Sequence, residues 1–293
     1  MNTANFFAIC YGDIFDYPLT KKELSFWSIN NKTNPGIRFN KIEINRCIIN
    51  IGGYYCIKGR EKIIQLRNTR NKIALKKINT AKRVAMIISG LPFVQFVGIT
   101  GALSMKNSDA NDDIDLLIIS QKNRIWTTRV FAVLVTEMLR IRRRPMDKKI
   151  KNKICLNMFL GENNLTTPRA KRNLYTAHEV LQVFPLVNKN SSYKKFISAN
   201  VWAGGYLPVA FKAINKNINP AGARKKYNNV LIMILNFFAD LLDMFLYGAQ
   251  LLYMKPRKTN ETVEKNRIFF HPKNPENQII YEFNKRLNTN VRP

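Results

Sequence analysis

Asp113 and Asp115 are the residues whose type and spacing most directly suggest chemistry, in the run Asp113-Ile114-Asp115-Leu116-Leu117-Ile118-Ile119. Carboxylate alternates with aliphatic and then gives way to continuous aliphatic, the pattern of a strand entering a core. The period of two sets both carboxylates on one face. Two neighbouring carboxylates that lose hydration repel each other, so a positive partner is required between them. A divalent cation answers that need, and hard oxygen ligands favour magnesium, which keeps part of its shell for water and phosphate oxygens.

What must hold this pair is the chain just before it. Val94 to Ile99 is a β-rich apolar run that ends at Gly98 and Gly101, so it reads as a buried strand entering a tight turn. A helix starting at Gly101, Ala102 and Leu103 would offer free backbone amides, a suitable seat for a phosphate.

Gly101-Ala102, ten residues, then Asp113-Ile114-Asp115 resembles the signature of the DNA polymerase beta-like nucleotidyltransferase superfamily. The resemblance covers roughly residues 82 to 161. It implies transfer of a nucleoside monophosphate from a nucleoside triphosphate to a hydroxyl, with two magnesium ions. Position by position, it implies that Gly101 and Ala102 hold the triphosphate with Ser104 as helper, and that Asp113 and Asp115 bind the metals. The family's serine after the glycine is Ala102 here. The family's third carboxylate, on a later strand, falls in Lys153 to Leu160, where Asn157 is the suitable polar residue; Glu162 just beyond would substitute if its loop folds back. An amide offers a carbonyl oxygen to magnesium but cannot act as a base at neutral pH. Arg124 and Arg129, opening the next helix (124–140), are expected within reach of a triphosphate.

The 293 residues suffice for more than one core, and 46% apolar with 11% aromatic content excludes general disorder. A net charge of +29 points to a polyanion (RNA, DNA or an anionic membrane), while scattered lysines also suit a solvated surface in a Lys-, Asn- and Ile-rich chain. The densest basic cluster, Arg140 to Lys153, could hold an RNA acceptor through phosphate contacts or form a solvated loop. Cys10, Cys47, Cys56 and Cys155 stand singly in apolar stretches, as in a reduced protein. With no leader pattern at the N-terminus, a cytoplasmic location is expected.

The chain reads as α+β, a short mixed sheet flanked by helices. Residues 1–60 are expected to form a winged-helix-like domain. In it Thr20 and Glu23 make a capping box, Lys41 to Ile51 is the recognition helix, and Tyr54 to Ile57 lies in the wing. Residues 61–165 form the catalytic domain, with 61–90 a connecting helix whose Lys77 points outward. Residues 166–293 form an all-helical domain. His178 and Glu179, adjacent on a helix, diverge too far to share a metal, and His178 and His271 read as structural. Val230 to Met254 has the length of a membrane span, but Asn236, Asp240, Asp243 and Gln250 recur on one stripe, so it reads as a buried helix whose polar edge meets water. No integral membrane insertion is expected.

Overall fold

The computed structural model describes residues 1–30, 41–218, 230–255, 262–269 and 275–289; loop residues 31–36 and His271 lie outside them. The chain opens with α1 (Thr3–Asp13), β1 (Leu19–Thr20) and α2 (Lys21–Phe26). The expected capping box is formed: the Glu23 amide donates to Thr20 Oγ1 at 3.4 Å, and the Thr20 amide donates to Glu23 Oε2 at 2.8 Å. The expected helix over 41–51 is corrected. It stops after α3 (Lys41–Cys47), and Ile48–Ile51 is strand β2, paired antiparallel with β3 (Tyr54–Ile57). β-Branched residues favour the pleat, and Gly52-Gly53 at φ +57° and +82° supplies the tight turn a hairpin needs. β1 adds to the other edge of β3, giving a three-stranded sheet ordered β1-β3-β2.

Helix α4 (Ile63–Ser89) leads into the main sheet. Next come β4 (Val94–Ile99), α5 (Gly101–Ser104), β5 (Ile114–Ser120), α6 (Ile125–Met138) and β6 (Ile154–Gly161). β5 and β6 are parallel with α6 as their crossover, and the other pairs are antiparallel. The remaining elements are α7 (Leu174–Leu181), β7 (Phe184–Asn188), α8 (Ser192–Ala199), α9 (Ala203–Tyr206), α10 (Pro208–Asn217), α11 (Val230–Met254), β8 (Thr262–Glu264), β9 (Arg267–Phe269) and α12 (Glu276–Thr289).

The C-terminal third is therefore not all helical: the six-stranded order is β7-β4-β5-β6-β9-β8, so three of its strands complete the sheet. β7 tolerates Pro185 because it is an edge strand, and the proline sits opposite Gly98 where the register steps.

The sheet separates two cores. Phe96, Leu117, Ile119 and Leu160 face a layer containing α1, α7, α8 and α12, in which Phe7 meets Phe283 edge-on at 6.1 Å. Asp13 receives Arg286 at 2.8 Å and Arg60 at 2.9 Å, so charge as well as apolar surface ties the N-terminal unit to the last helix. Val97, Ile99, Leu116 and Ile118 face α4 and α6, with Trp126 fully buried.

The expectation of a buried helix with a wet edge is corrected in part: Asn236 and Asp240 of the α11 stripe stay exposed, Asp243 and Gln250 turn onto α6, and much of the apolar arc is itself exposed. Asp243 is buried and accepts from the Thr127 amide and hydroxyl at 2.7 and 2.8 Å. Among the described residues, no helix is long and apolar enough to cross a membrane.

Candidate functional site

β4 and β5 pair with Ile99 opposite Leu116, and the Thr100 amide donates to the Asp115 carbonyl at 3.1 Å. That pairing delivers the turn after β4 onto the first carboxylate of β5. Gly101 adopts φ +63°, and a Cβ built there would stand 3.2 Å from Asp115 Oδ2. Only glycine enters this left-handed turn without strain while lying so close to the carboxylate. Ala102 is exposed at the start of α5, whose first-turn amides lack intrahelical acceptors. Ser104 instead turns its hydroxyl back onto the Gly101 carbonyl at 2.7 Å, so it braces the turn.

The loop from 105 to 113 is fastened from below by Lys77. Its side chain is buried, where an outward one was expected, and Nζ donates to Ser108 Oγ at 3.1 Å, the Asp109 carbonyl at 2.5 Å and the Asp112 carbonyl at 2.7 Å. An ammonium has three protons, and this one places all of them. Asn107 adds a second fastening, its Nδ2 donating to the Phe15 carbonyl at 2.8 Å.

Asp113 and Asp115 share a face, and their ligand atoms lie with Cys155 Sγ in a cluster no more than 4.8 Å across. Arg143, from the basic segment between α6 and β6, donates to Asp113 Oδ2 at 2.6 Å. A guanidinium thus supplies positive charge to a pair that demands it. Burial, and then the charge of Asp113, push the Asp115 carboxyl up to about 7. The Cys155 thiol is pushed far above its ordinary range by burial and by Asp115 and Asp113, so it is a neutral S–H beside Asp115. Two carboxylates fit a hard cation such as magnesium. A neutral thiol does not contribute to such a shell.

Cys155, not Asn157, stands opposite Asp115. The β5–β6 register runs Asp115↔Cys155 and then Leu117↔Met158, so Asn157 falls in a bulge and is buried there. Glu162 also lies elsewhere: Ser120 pairs with Gly161 at the opposite end of these parallel strands, roughly 17 Å from Asp115 at about 3.3 Å per residue, and Glu162 receives Lys195 at 3.0 Å.

Arg124 and Arg129 likewise occupy that far end. Arg124 pairs with Asp240 and donates to the Asn236 carbonyl at 2.9 Å, and Arg129 bonds Gln250. Both hold α11 against α6, which corrects the expectation that they reach a triphosphate at Gly101.

The structure adds residues that sequence reasoning left out. On the same sheet face, a cavity of about 170 Å³ is lined by Thr100, Met158, Tyr175, Glu179, Arg267 and neighbouring side chains. Glu179 is held up at about 7, first by burial and then by Asp115, and Gln182 donates to it. Tyr175 and Glu179 are four residues apart on α7, the spacing of one helix face, and that was the available signal. His178 points the other way and stacks on Tyr11 at 4.0 Å, with burial depressing its imidazole to about 3. It is structural, against the N-terminal unit.

No family model, curated protein or solved structure matches this chain.

Proposed function

We propose that the chain is a magnesium-dependent nucleotidyltransferase of the DNA polymerase beta-like kind, acting on a nucleoside triphosphate and an acceptor hydroxyl. The observation that carries this reading is Gly101, left-handed and so placed that a Cβ there would stand 3.2 Å from Asp115 Oδ2, with an Asp113 carboxylate oxygen within 4.8 Å of one of Asp115. A phosphate on the α5 amides would then lie beside both carboxylates. Magnesium, when bound by Asp113 and Asp115, supplies charge neutralisation and polarises a phosphoryl oxygen.

In the reaction the acceptor oxygen bonds to the α-phosphorus, the bond from that phosphorus to the bridging oxygen breaks, and pyrophosphate leaves. The acceptor proton goes to a carboxylate. Glu179 suits that task because its affinity for a proton is poised near neutral pH and it lines the adjoining cavity. Arg143 holds Asp113 in orientation through its 2.6 Å hydrogen bond to Oδ2. The α1-β1-α2-α3-β2-β3 unit supports a winged-helix-like module, and the charge of +29 supports RNA or another polyanion as partner. Four free cysteines support a reducing, cytoplasmic setting.

The test is transfer of label from α-labelled nucleoside triphosphates to RNA, protein or small hydroxyl acceptors. Wild type transfers label; Asp115→Asn and Glu179→Gln do not. A second reading, a catalytically silent nucleotide sensor or nucleic-acid-binding regulator, is favoured by Arg143 on Asp113 and by a thiol, Cys155, rather than a carboxylate opposite Asp115. Triphosphate binding without transfer to any acceptor class selects it.

A further inference from the structure

Helix α11 is built the reverse of a helix that faces water. Three of its polar side chains engage α6: Asp240, itself half exposed, pairs with Arg124, Asp243 accepts from Thr127, and Gln250 accepts from Arg129 and donates to the Trp126 carbonyl, while Asn236 stays exposed. Its outward arc is apolar. Phe237, Phe238, Met244 and Phe245 are 58–70% exposed, Leu252 is 74% exposed and Tyr253 is 64% exposed. With Leu241 and Leu242 these side chains leave on the order of 1,000 Å² of apolar surface open, taking about 200 Å² for each large side chain. The largest apolar patch on an ordinary monomer is roughly 300–600 Å². Among the described residues nothing covers this arc. The patch continues onto α6 through Leu134 and Met138, the latter 82% exposed.

Positive charge collects at one end of the patch. The exposed Arg140 follows the end of α6, and the exposed Arg144, which pairs with Glu137, and Lys148 and Lys149 flank in sequence Met146, which is 92% exposed. The pairs Arg124–Asp240, Thr127–Asp243 and Arg129–Gln250 advance together along both helices, so α6 and the basic segment after it run toward the C-terminal end of α11.

We propose that the outer face of α11, with the exposed end of α6, lies on an anionic lipid surface. An apolar arc rimmed by cations is what a helix lying in the headgroup plane presents, the apolar side chains entering the acyl boundary and the cations meeting lipid phosphates. The alternative occupant is a second copy of the chain. That would bring two basic rims together on two molecules of charge +29 each, whereas an anionic surface is attracted by the same charge. The proposal does not depend on the transferase reading, because none of these residues belongs to the Asp113–Asp115 site.

The experiment is co-sedimentation of the full chain with vesicles of phosphatidylcholine alone and of phosphatidylcholine mixed with phosphatidylglycerol. Wild type pellets with the anionic vesicles. Phe245→Glu combined with Leu252→Glu lowers the bound fraction about tenfold or more, and Arg140→Glu with Lys148→Glu and Lys149→Glu, or raised salt, lowers it several-fold. Unchanged circular dichroism and melting show that the substituted proteins remain folded, as expected for exposed positions. Wild type left in solution beside anionic vesicles overturns the proposal. So does a dimeric sedimentation mass that the Phe245/Leu252 pair of substitutions reduces to a monomer, since a second copy then covers the face.

Discussion

Replacing Lys77 by Met removes the fastening of the loop that presents Asp113 while keeping most of the apolar stem. The ammonium makes three hydrogen bonds, at 3.1, 2.5 and 2.7 Å, and Lys77 is 3% exposed. Hydrogen bonds to a charged group contribute about 1.5–3 kcal/mol each. Three would approach roughly 6 kcal/mol, but burial of the ammonium opposes them, as the lowering of the Lys77 pKa by desolvation shows. Offsetting that cost leaves a net loss of about 3 kcal/mol, with the Asp109 and Asp112 carbonyls left short of a donor. Urea unfolding of Lys77→Met against wild type measures this, with Lys76→Met as the exposed neighbour expected to change stability by less than about 0.5 kcal/mol. Limited proteolysis should cut within 105–113 in Lys77→Met first. A Lys77→Met protein as stable as Lys76→Met, with that loop still protected, would refute the fastening.

Gly101→Ala should cost about 1–2 kcal/mol, because φ +63° strains any side chain and the new Cβ meets Asp115 Oδ2 at 3.2 Å. It should also weaken triphosphate binding; calorimetry with each protein reads both, and unchanged values contradict the close approach. His178 is neutral when folded down to about pH 3 but protonates near 6.5 when unfolded, so its burial lowers stability as pH falls through that window. Relative to His178→Phe, wild type should lose about 2 kcal/mol between pH 6.5 and 4.5. Parallel stability-versus-pH curves for the two proteins would show that the imidazole is protonated in the fold.

Much of the site was legible because it rests on short-range rules. Period-two alternation put Asp113 and Asp115 on one face, and Gly101 announced the turn that meets them. Asn157 failed as the third residue because a bulge in β6 changes the pairing beyond Cys155, and no local pattern marks a bulge. Arg124 and Arg129 follow β5, and a strand of seven residues carried them to the far end of the sheet from its first carboxylate. Arg143 and Glu179 reach the site from other elements: spacing groups Glu179 with Tyr175 on one face of α7, but it does not encode which part of the sheet that face meets. In α11 the polar stripe was visible, but periodicity identifies a stripe without saying which side meets solvent; the partners on α6 decide that. The strands β7 to β9 are three to five residues long, too short for alternation to separate them from loop.

The central claim is that Asp113 and Asp115 jointly hold a divalent cation beside the Gly101 turn. Titration of Mn²⁺, followed by the loss of its free electron paramagnetic resonance signal, tests this without any acceptor. Wild type should remove the signal saturably, magnesium should compete, and Asp115→Asn should bind at least about tenfold more weakly with its fold intact. Equal uptake by wild type and Asp115→Asn, or none by either, would mean that Arg143 alone neutralises the pair and that no metal site exists there.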